Sequence, residues 1–460
     1  MVMTLLLPPP WPIIATATEV QTEAGPLILA GVLLSLVVIY FASKLGGELC
    51  LRLNLPPVLG ELVGGVVIGV SVFKLLIFPE GGLSAEESLV MQLLLQSTDL
   101  SPEAAQSVFS AQSEVVSIIS ELGVIILLFE IGLESNLKEL IRVGPQAAIV
   151  AVVGVVTPFS FGTIGLIYLF GVAPIPAVFA GAALTATSIG ITAKVLAEIN
   201  RLSSNEGQII IGAAVLDDIL GIIVLAVVGS LVKTGEIQIS NIVYLIVSAT
   251  AFVVGSILIG RFLSPFYVSL VNRMKTRGQL LLVSLCVAFV LSFIAQIVQL
   301  EAILGSFAAG LVLAETEKRE ELEEQILPIA DFFVPVFFVC VGAKTDISVL
   351  NPAIPANREG LVIAAFLILV AIIGKVVTGF TLFGKSDLNK WAIGVGMIPR
   401  GEVGLVFAGV GAASGALTSS TEAAIIMMVI VTTFVAPPWL RLVFKDKEEA
   451  TEKPLPTPES

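Results

Sequence analysis

The chain has 460 residues, of which 56% are apolar and only 13% are charged, and its formal net charge is −13. A mean hydropathy of +1.01 excludes an ordinary soluble protein, because a soluble chain of this length needs far more charged surface. Histidine does not occur, and the three cysteines have no CxxC spacing, so the sequence predicts no zinc site, no disulfide framework and no cofactor. No stretch is basic and aromatic enough to predict nucleic-acid binding.

Residues 1–24 have no basic start typical of a signal peptide, so we expect them to remain as a non-cytoplasmic segment at the membrane surface. From there to residue 444, apolar runs recur that exceed the roughly 18 residues of a bilayer-spanning helix. Because the runs are continuous and not alternating, they predict an all-α polytopic membrane domain over 25–444, and not a β-barrel. Thirteen spans are predicted, at about 25–43, 55–77, 114–135, 144–170, 174–198, 206–232, 239–262, 278–298, 300–316, 327–344, 357–383, 390–413 and 421–444.

Two connecting segments are predicted outside the spans. The non-cytoplasmic loop 78–113 contains two signals for short helices: a capping box at Ser84-Ala-Glu-Glu87, and a cap followed by proline at Ser101-Pro102-Glu103. The tail 445–460 is charged and contains proline, which predicts a disordered cytoplasmic segment.

The distribution of basic residues predicts the orientation. Most of the 24 lysines and arginines lie in segments that are cytoplasmic if the C-terminus is cytoplasmic and the N-terminus is outside. The opposite side holds only Lys74, Lys233, Lys344 and Arg358. This asymmetry fits the positive-inside rule and an odd number of spans. It does not distinguish the plasma membrane from an internal energy-coupling membrane such as the thylakoid.

A weak internal repeat is also present. LGELVGGVVIG (59–69) in the second span matches LGSFAAGLVLA (304–314) in the ninth, and LLFEIGLESNL (127–137) in the third matches FFVCVGAKTDI (337–347) in the tenth. Each pair is separated by an odd number of spans, so the two copies have opposite orientations. Inverted repeats are typical of secondary transporters, whose substrate site lies near the midplane between the repeats.

Several ionisable residues lie inside predicted spans, where each costs about 2.5–3.5 kcal/mol and therefore usually has a function or a partner. Asp217 and Asp218 are adjacent in the sixth span, Lys375 is in the eleventh, and Arg400 and Glu402 are in the twelfth. Counted from the cytoplasmic ends, the two aspartates, the lysine and the arginine lie about 15–18 Å deep, which is the midplane. They share one layer of the membrane.

Two adjacent carboxylates do not both ionise cheaply, so the pair calls for an opposite charge or a bound cation. Lys375 is the natural partner of one aspartate, which leaves the other for Na⁺, K⁺ or a proton. Competition of this kind is the minimum chemistry of a cation/proton antiporter. The alternative is a fixed ion pair that only holds helices together, and it leaves one aspartate unexplained.

Two spans contain signals for a break. Thr185, Thr187, Ser188 and Gly190 crowd the middle of the fifth span, and Pro399-Arg400-Gly401 interrupts the twelfth. Non-helical backbone at this depth persists only inside protein or along a wet cavity, and crossed broken helices would place half-helix ends near the aspartates. Close helix packing is the alternative explanation for the hydroxyls.

Glu61 and Glu130 are further carboxylates within spans. The first lies near the cytoplasmic end of its span, where snorkelling explains it. Glu130 is deeper and is a candidate for the lining of a cytoplasmic cation funnel.

These motifs resemble the monovalent cation:proton antiporter-2 family, over about 26–443. The resemblance rests on TATSIG from Thr185, GAAVLDDILG from Gly212, the lone Lys375, and MIPRGEVGL from Met397. It implies a homodimer in which a mobile core domain moves against a scaffold domain, and two crossed discontinuous helices. Asp218 is then the binding residue for Na⁺ and H⁺, and Asp217 pairs with Lys375 when the site is empty.

The resemblance implies Na⁺/H⁺ exchange, with Li⁺ as a further substrate, and no enzymatic activity. Relatives with the Asp-Asp pair and the lysine are often electrogenic, whereas Arg400 with Glu402 is similar to electroneutral relatives. Exchange of K⁺ for H⁺ on the same fold is the main alternative. An intramembrane aspartyl protease is remote, because its two aspartates come from separate helices.

Overall fold

The computed structural model describes residues 13–79, 83–95, 101–234, 239–351, 357–382, 388–413 and 415–451. Within these ranges the chain forms α-helices and two short 3₁₀ turns, and no strand, which confirms the predicted all-α class. The helices are α1 (Ile13–Arg52), α2 (Pro57–Ile68), α3 (Leu89–Leu95), α4 (Pro102–Glu134), α5 (Leu137–Arg142), α6 (Gly144–Phe170), α7 (Pro174–Ala183), α8 (Ile189–Glu198), α9 (Asn205–Thr234), α10 (Ile239–Arg273), α11 (Gln279–Ile297), α12 (Ala302–Ala314), α13 (Arg319–Ala343), α14 (Asn357–Phe380), α15 (Lys390–Gly396), α16 (Glu402–Ala413) and α17 (Ser419–Thr451).

Nine of the described helices are long and apolar enough to cross a membrane, and α2, α7, α12 and α16 contribute shorter apolar segments. Thirteen crossings require α2 and α12 to count as spans and each broken pair, α7/α8 and α15/α16, to count as one. The number thirteen stays a prediction. Large apolar side chains point outward from these helices, as in Phe262, which is 82% exposed, and Tyr168, which is 81% exposed. Such an exterior suits a lipid environment.

Several helix ends differ from the sequence prediction. The signal at Ser101 does not begin a short helix but the long α4, where its hydroxyl oxygen accepts a hydrogen bond from the Ala104 amide at 3.3 Å. Ser84 precedes only one 3₁₀ turn, Ala85–Glu87, and its side chain makes no capping bond. At the two ends of the chain, α1 already begins at Ile13 and α17 continues to Thr451.

The helices form two groups. The bundle consists of α6–α9 and α14–α17, and the panel consists of α1, α2, α4 and α10–α13. Within each group neighbouring helices pack extensively. Across the boundary, α8 contacts α2 and α4, α9 contacts α10, and α17 contacts α2. Each group also contains its own cluster of buried apolar side chains, and a third cluster spans the boundary.

The inverted repeat is visible in how the panel helices cross. Gly65 on α2 meets Gly342 on α13, and Gly310 on α12 meets Gly132 on α4. A Cβ on Gly342 would lie 2.1 Å from a backbone oxygen of α2, and one on Gly310 would lie 2.3 Å from a backbone oxygen of α4. In the matched motifs Gly65 corresponds to Gly310, and Gly132 corresponds to Gly342. The two crossings are therefore equivalent copies of one contact.

Candidate functional site

Two helices are interrupted, and the interruptions meet. The chain is non-helical between α7 and α8 and again between α15 and α16, where proline removes a backbone donor and glycine favours leaving the helix. The amide of Ser188 donates to the carbonyl of Pro399 at 2.8 Å, and the hydroxyl of Thr192 donates to the carbonyl of Gly396 at 2.8 Å. Thr185 lies in the first break and donates to its own helix at Ala182. The prediction of two crossed discontinuous helices is confirmed.

An ion pair lies beside this crossing. The Nζ atom of Lys375 on α14 is 2.6 Å from Oδ2 of Asp217 on α9, and neither side chain has any exposed surface. The hydroxyl of Thr187 lies 2.7 Å from the same Oδ2 and 3.0 Å from the carbonyl oxygen of Met397, so it donates to one of them at a time. Oδ1 of Asp217 has no hydrogen-bond partner among the described residues. The carboxylate is thus held by one oxygen only.

Asp218 follows on the next position of α9, about 100° around the helix, and is only 2% exposed. The charges of Asp217, Asp218 and Arg400 all act on the ammonium group of Lys375. The structure therefore brings together two carboxylates and two cationic side chains from distant parts of the sequence. Asp217 and Lys375, for example, are 158 positions apart. Their common depth in the membrane stays a prediction.

Arg400 lies in the break before α16 and is fully buried. Its Nη1 donates to the carbonyl of Met397 at 3.3 Å, while Nε and Nη2 have no hydrogen-bond partner among the described residues. The arginine is close enough to Asp217 for the two charges to interact. Glu402 begins α16, and its side chain lies outside the described residues.

A cavity of about 250 Å³ is lined in part by Arg400 and Gly401. It lies between the panel and the bundle, with α4 and α13 on one side and α16 and α17 on the other. Its polar lining includes Ser117, Ser120, Glu121, Lys344, Thr345 and Thr433. Arg400 borders this cavity but has no exposed surface, so its two unpaired guanidinium nitrogens carry a desolvation cost in this arrangement.

Glu130 lies on α4, away from the aspartates. It is half-buried, and its Oε2 has no hydrogen-bond partner in the described part of the chain. The charges that act on it belong to Lys194, Glu134 and Asp331. The structure therefore does not bring Glu130 into the ion-pair site, but places it in a separate charged group between α4, α8 and α13.

Two residues that contact the site were missed from the sequence. A Cβ on Gly154 of α6 would lie 3.1 Å from Nζ of Lys375, so this glycine leaves room for the ammonium group. The hydroxyl of Thr433 on α17 donates to the carbonyl of Arg400. Neither had a usable signal, since the chain contains 41 glycines, and a threonine in an apolar run is an ordinary helix residue.

An all-helical membrane protein with an inverted repeat, crossed broken helices and a buried carboxylate–lysine pair at the crossing is a secondary active transporter by fold and site. Residues 29–446 match the model of the sodium/hydrogen exchanger transmembrane family. The chain belongs to this family.

Similar proteins agree with this assignment. The chain is 87% identical over 100% of both chains to the high-affinity Na⁺/H⁺ antiporter NhaS3 of Synechocystis sp.. It is 30% identical to the Na⁺/H⁺-K⁺ antiporter GerN of Bacillus cereus, over 90% of this chain and 97% of that one. The solved structure of the sodium proton antiporter MjNhaP1 from Methanocaldococcus jannaschii superposes with a TM-score of 0.56 at 17% identity, over 94% of this chain and 97% of that one. This last likeness concerns the fold alone.

Proposed function

We propose that the protein exchanges Na⁺, and also Li⁺, for H⁺ across a membrane by alternating access. The observation that carries this proposal is the fully buried Asp217–Lys375 pair, with a second buried carboxylate, Asp218, at the next position. A buried carboxylate must be compensated by a positive charge or a proton, and here the lysine, a metal cation and H⁺ compete for that role. Competition for one site couples the two fluxes. The Na⁺/H⁺ antiporters among the similar proteins support the same exchange.

In this proposal Asp218 binds the transported cation or the proton, and Asp217 is neutralised by Lys375 while the site is empty. The hydroxyl of Thr187 and the non-helical backbone around Thr185 and Ser188 supply neutral oxygen ligands, as unwound backbone does at other transporter sites. Across the crossing, Arg400 and Glu402 belong to the same site. The positive charge of the arginine offsets part of the negative charge of the two aspartates in the interior.

Two routes lead to the site. The cavity lined by Arg400 serves the end of the protein that carries Glu121 and Lys344, which the distribution of basic residues assigns to the non-cytoplasmic side. On the cytoplasmic side, we assign the funnel to the group around Glu130. The repeat supports this assignment, because Glu130 in LLFEIGLESNL occupies the position of Cys340 in FFVCVGAKTDI, and Cys340 lines the observed cavity.

The chain is a multi-pass integral membrane protein. We propose that 25–444 form one transmembrane domain, that the N-terminus is outside and the C-terminus cytoplasmic, and that the functional unit is a homodimer. The membrane is the plasma membrane or an internal energy-coupling membrane. K⁺/H⁺ exchange is the alternative within the same fold, and it is kept because GerN is a Na⁺/H⁺-K⁺ antiporter.

The test uses purified protein in proteoliposomes with an imposed pH gradient and an internal fluorescent pH probe. Na⁺, Li⁺ or K⁺ is added to wild type, to Asp218→Asn, and to Glu48→Gln as a control that removes an exposed carboxylate. We expect Na⁺ and Li⁺ to collapse the gradient in wild type and control, and Asp218→Asn to show no response while keeping its melting temperature.

Each other outcome changes the proposal. A response to K⁺ that exceeds the response to Na⁺ would replace the main proposal by the alternative. If Asp218→Asn exchanged ions like wild type, Asp218 would not be the binding residue. If folded wild type responded to none of the three cations, antiport would be refuted, and the buried charges would be explained as structural pairs.

A further inference from the structure

The backbone carbonyls in the break between α15 and α16 need partners, because an unpaired carbonyl at membrane depth costs several kcal/mol. In and just before the break, Gly396 accepts from the Thr192 hydroxyl and Pro399 accepts from the Ser188 amide, and both donors belong to the other broken helix. Met397 has two donors within reach, the Thr187 hydroxyl at 3.0 Å and Nη1 of Arg400 at 3.3 Å. The crossing therefore stabilises this part of the break by itself.

The carbonyl of Arg400 has a different partner. It accepts a hydrogen bond of 2.5 Å from the hydroxyl of Thr433, which lies on α17 and lines the cavity. The preceding residue, Thr432, is also buried, but its hydroxyl bonds to its own helix at the carbonyls of Met428 and Val429. Of two adjacent threonines, only Thr433 thus turns its hydroxyl away from α17 and into the break.

The other half of the molecule contains the counterpart of this contact. The helix that follows the broken pair α7/α8 is α9, and it contacts the break through Asp217 and Thr187. The helix that follows the broken pair α15/α16 is α17, and it contacts the break through Thr433 and the carbonyl of Arg400. Each break is therefore held by a polar side chain of the helix that follows the broken pair. In one half this side chain is the ion-pair aspartate, and in the other half it is a threonine.

We propose that Thr433 is a positioning residue for ion exchange, which fixes the backbone of Arg400 and so holds its guanidinium group beside the cavity, near Asp217. Only one described hydrogen bond, from Nη1 to Met397, holds the guanidinium itself. Its place between cavity and carboxylates consequently depends on the backbone from which it extends. This inference rests on the proposed antiport, because the position of Arg400 matters there through the charge balance of the two aspartates.

Three variants in proteoliposomes test the inference. Thr433→Val removes the hydroxyl at almost unchanged shape, Thr433→Ser keeps it, and Thr432→Val removes the neighbouring hydroxyl, which does not reach the break. We expect Thr433→Val to change the KM for Na⁺ roughly two- to tenfold, the range set by the loss of one hydrogen bond. The pH of half-maximal exchange should also rise, because moving a positive charge away from the carboxylates favours their protonated forms. Thr433→Ser and Thr432→Val should stay within twofold of wild type.

The inference is overturned if Thr433→Val keeps the wild-type KM and pH profile, or if Thr433→Ser is impaired as much as Thr433→Val, since packing and not the hydroxyl would then matter. An inactive wild type would refute the proposed antiport instead. In that case the melting temperatures decide about the hydrogen bond alone. Thr433→Val must melt below Thr433→Ser and Thr432→Val, and equal melting temperatures would refute the contact.

Discussion

Replacement of Lys375 by methionine tests how the buried charge is balanced. The change keeps a long apolar side chain but removes the only cation within hydrogen-bond distance of Asp217 in the described chain. A buried carboxylate without a partner costs about 3–5 kcal/mol. The carboxylate can instead avoid this cost by binding a proton. Protonation of an aspartate with an ordinary pKa of about 3.9 costs about 4 kcal/mol at pH 7 but only about 1.5 kcal/mol at pH 5. We therefore expect a stability loss of about 4 kcal/mol at pH 7 that shrinks to about 1.5 kcal/mol at pH 5.

The sign of this pH dependence follows from proton binding. If Asp217 takes up a proton on folding of the Lys375→Met protein, the folded state holds one proton more than the unfolded chain, and stability falls as pH rises. The assay is the melting temperature of the detergent-solubilised protein from pH 5 to pH 8. The double variant Asp217→Asn/Lys375→Met is the matched control, since it removes both charges, and we expect it to melt near wild type at every pH.

Two results would refute this reasoning. One is a Lys375→Met protein as stable as wild type at pH 8, which would mean that the carboxylate does not need the lysine. The other is a deficit of equal size at pH 5 and pH 8, which would show that lost packing, and not an unpaired charge, causes the destabilisation. In that second case the double variant would not recover stability either.

Two further predictions concern neighbouring positions. Gly154→Ala places a Cβ 3.1 Å from Nζ of Lys375, so we expect exchange to slow roughly three- to tenfold. The melting temperature should stay unchanged, because alanine favours a helix over glycine by about 1 kcal/mol and this gain offsets the cost of the close contact. Unchanged exchange would show that the ammonium group can shift freely. On the surface, the charge and hydrogen bond of Lys74, at 2.8 Å, hold the pKa of Glu87 below its usual value. The stabilisation from this pair is complete above the ordinary pKa of glutamate and is lost as pH falls through the lowered pKa. Wild type should therefore lose its small advantage in melting temperature over Glu87→Gln only below about pH 4. An equal difference in melting temperature at pH 3 and pH 7 would contradict this origin.

The sequence predicted those parts of the site where a residue type is energetically unfavourable at its position. Charges such as Asp217 and Lys375 stand out in apolar spans because nothing but a partner or a function offsets their cost. Pro399 and Gly401 likewise mark a break because they disfavour a helix. These signals are local, and the repeat added the relation between the two halves.

The remaining features depend on what lies opposite a residue in space. Thr433 and Gly154 are compatible with any helix, and only the neighbouring helices give them a role. The helix start at Pro102 was predicted, but its continuation into the third span was missed, because the first turns of α4 are polar and were assigned to a loop. The sequence shows where a helix leaves the apolar region, but not how far it continues beyond it.

The paired glycine crossings in the panel also determine where the molecule can deform. Backbones in direct contact, as at Gly65–Gly342 and Gly132–Gly310, tolerate almost no sliding, because any shift drives main-chain atoms into each other. Where α8 meets the panel, in contrast, Gly190 faces the side chains of Phe337, Val124 and Leu127, and even an added Cβ would stay 3.5–3.7 Å away from them. If the two groups of helices shift against each other, this side-chain surface accommodates the shift more readily than the glycine crossings inside the panel do.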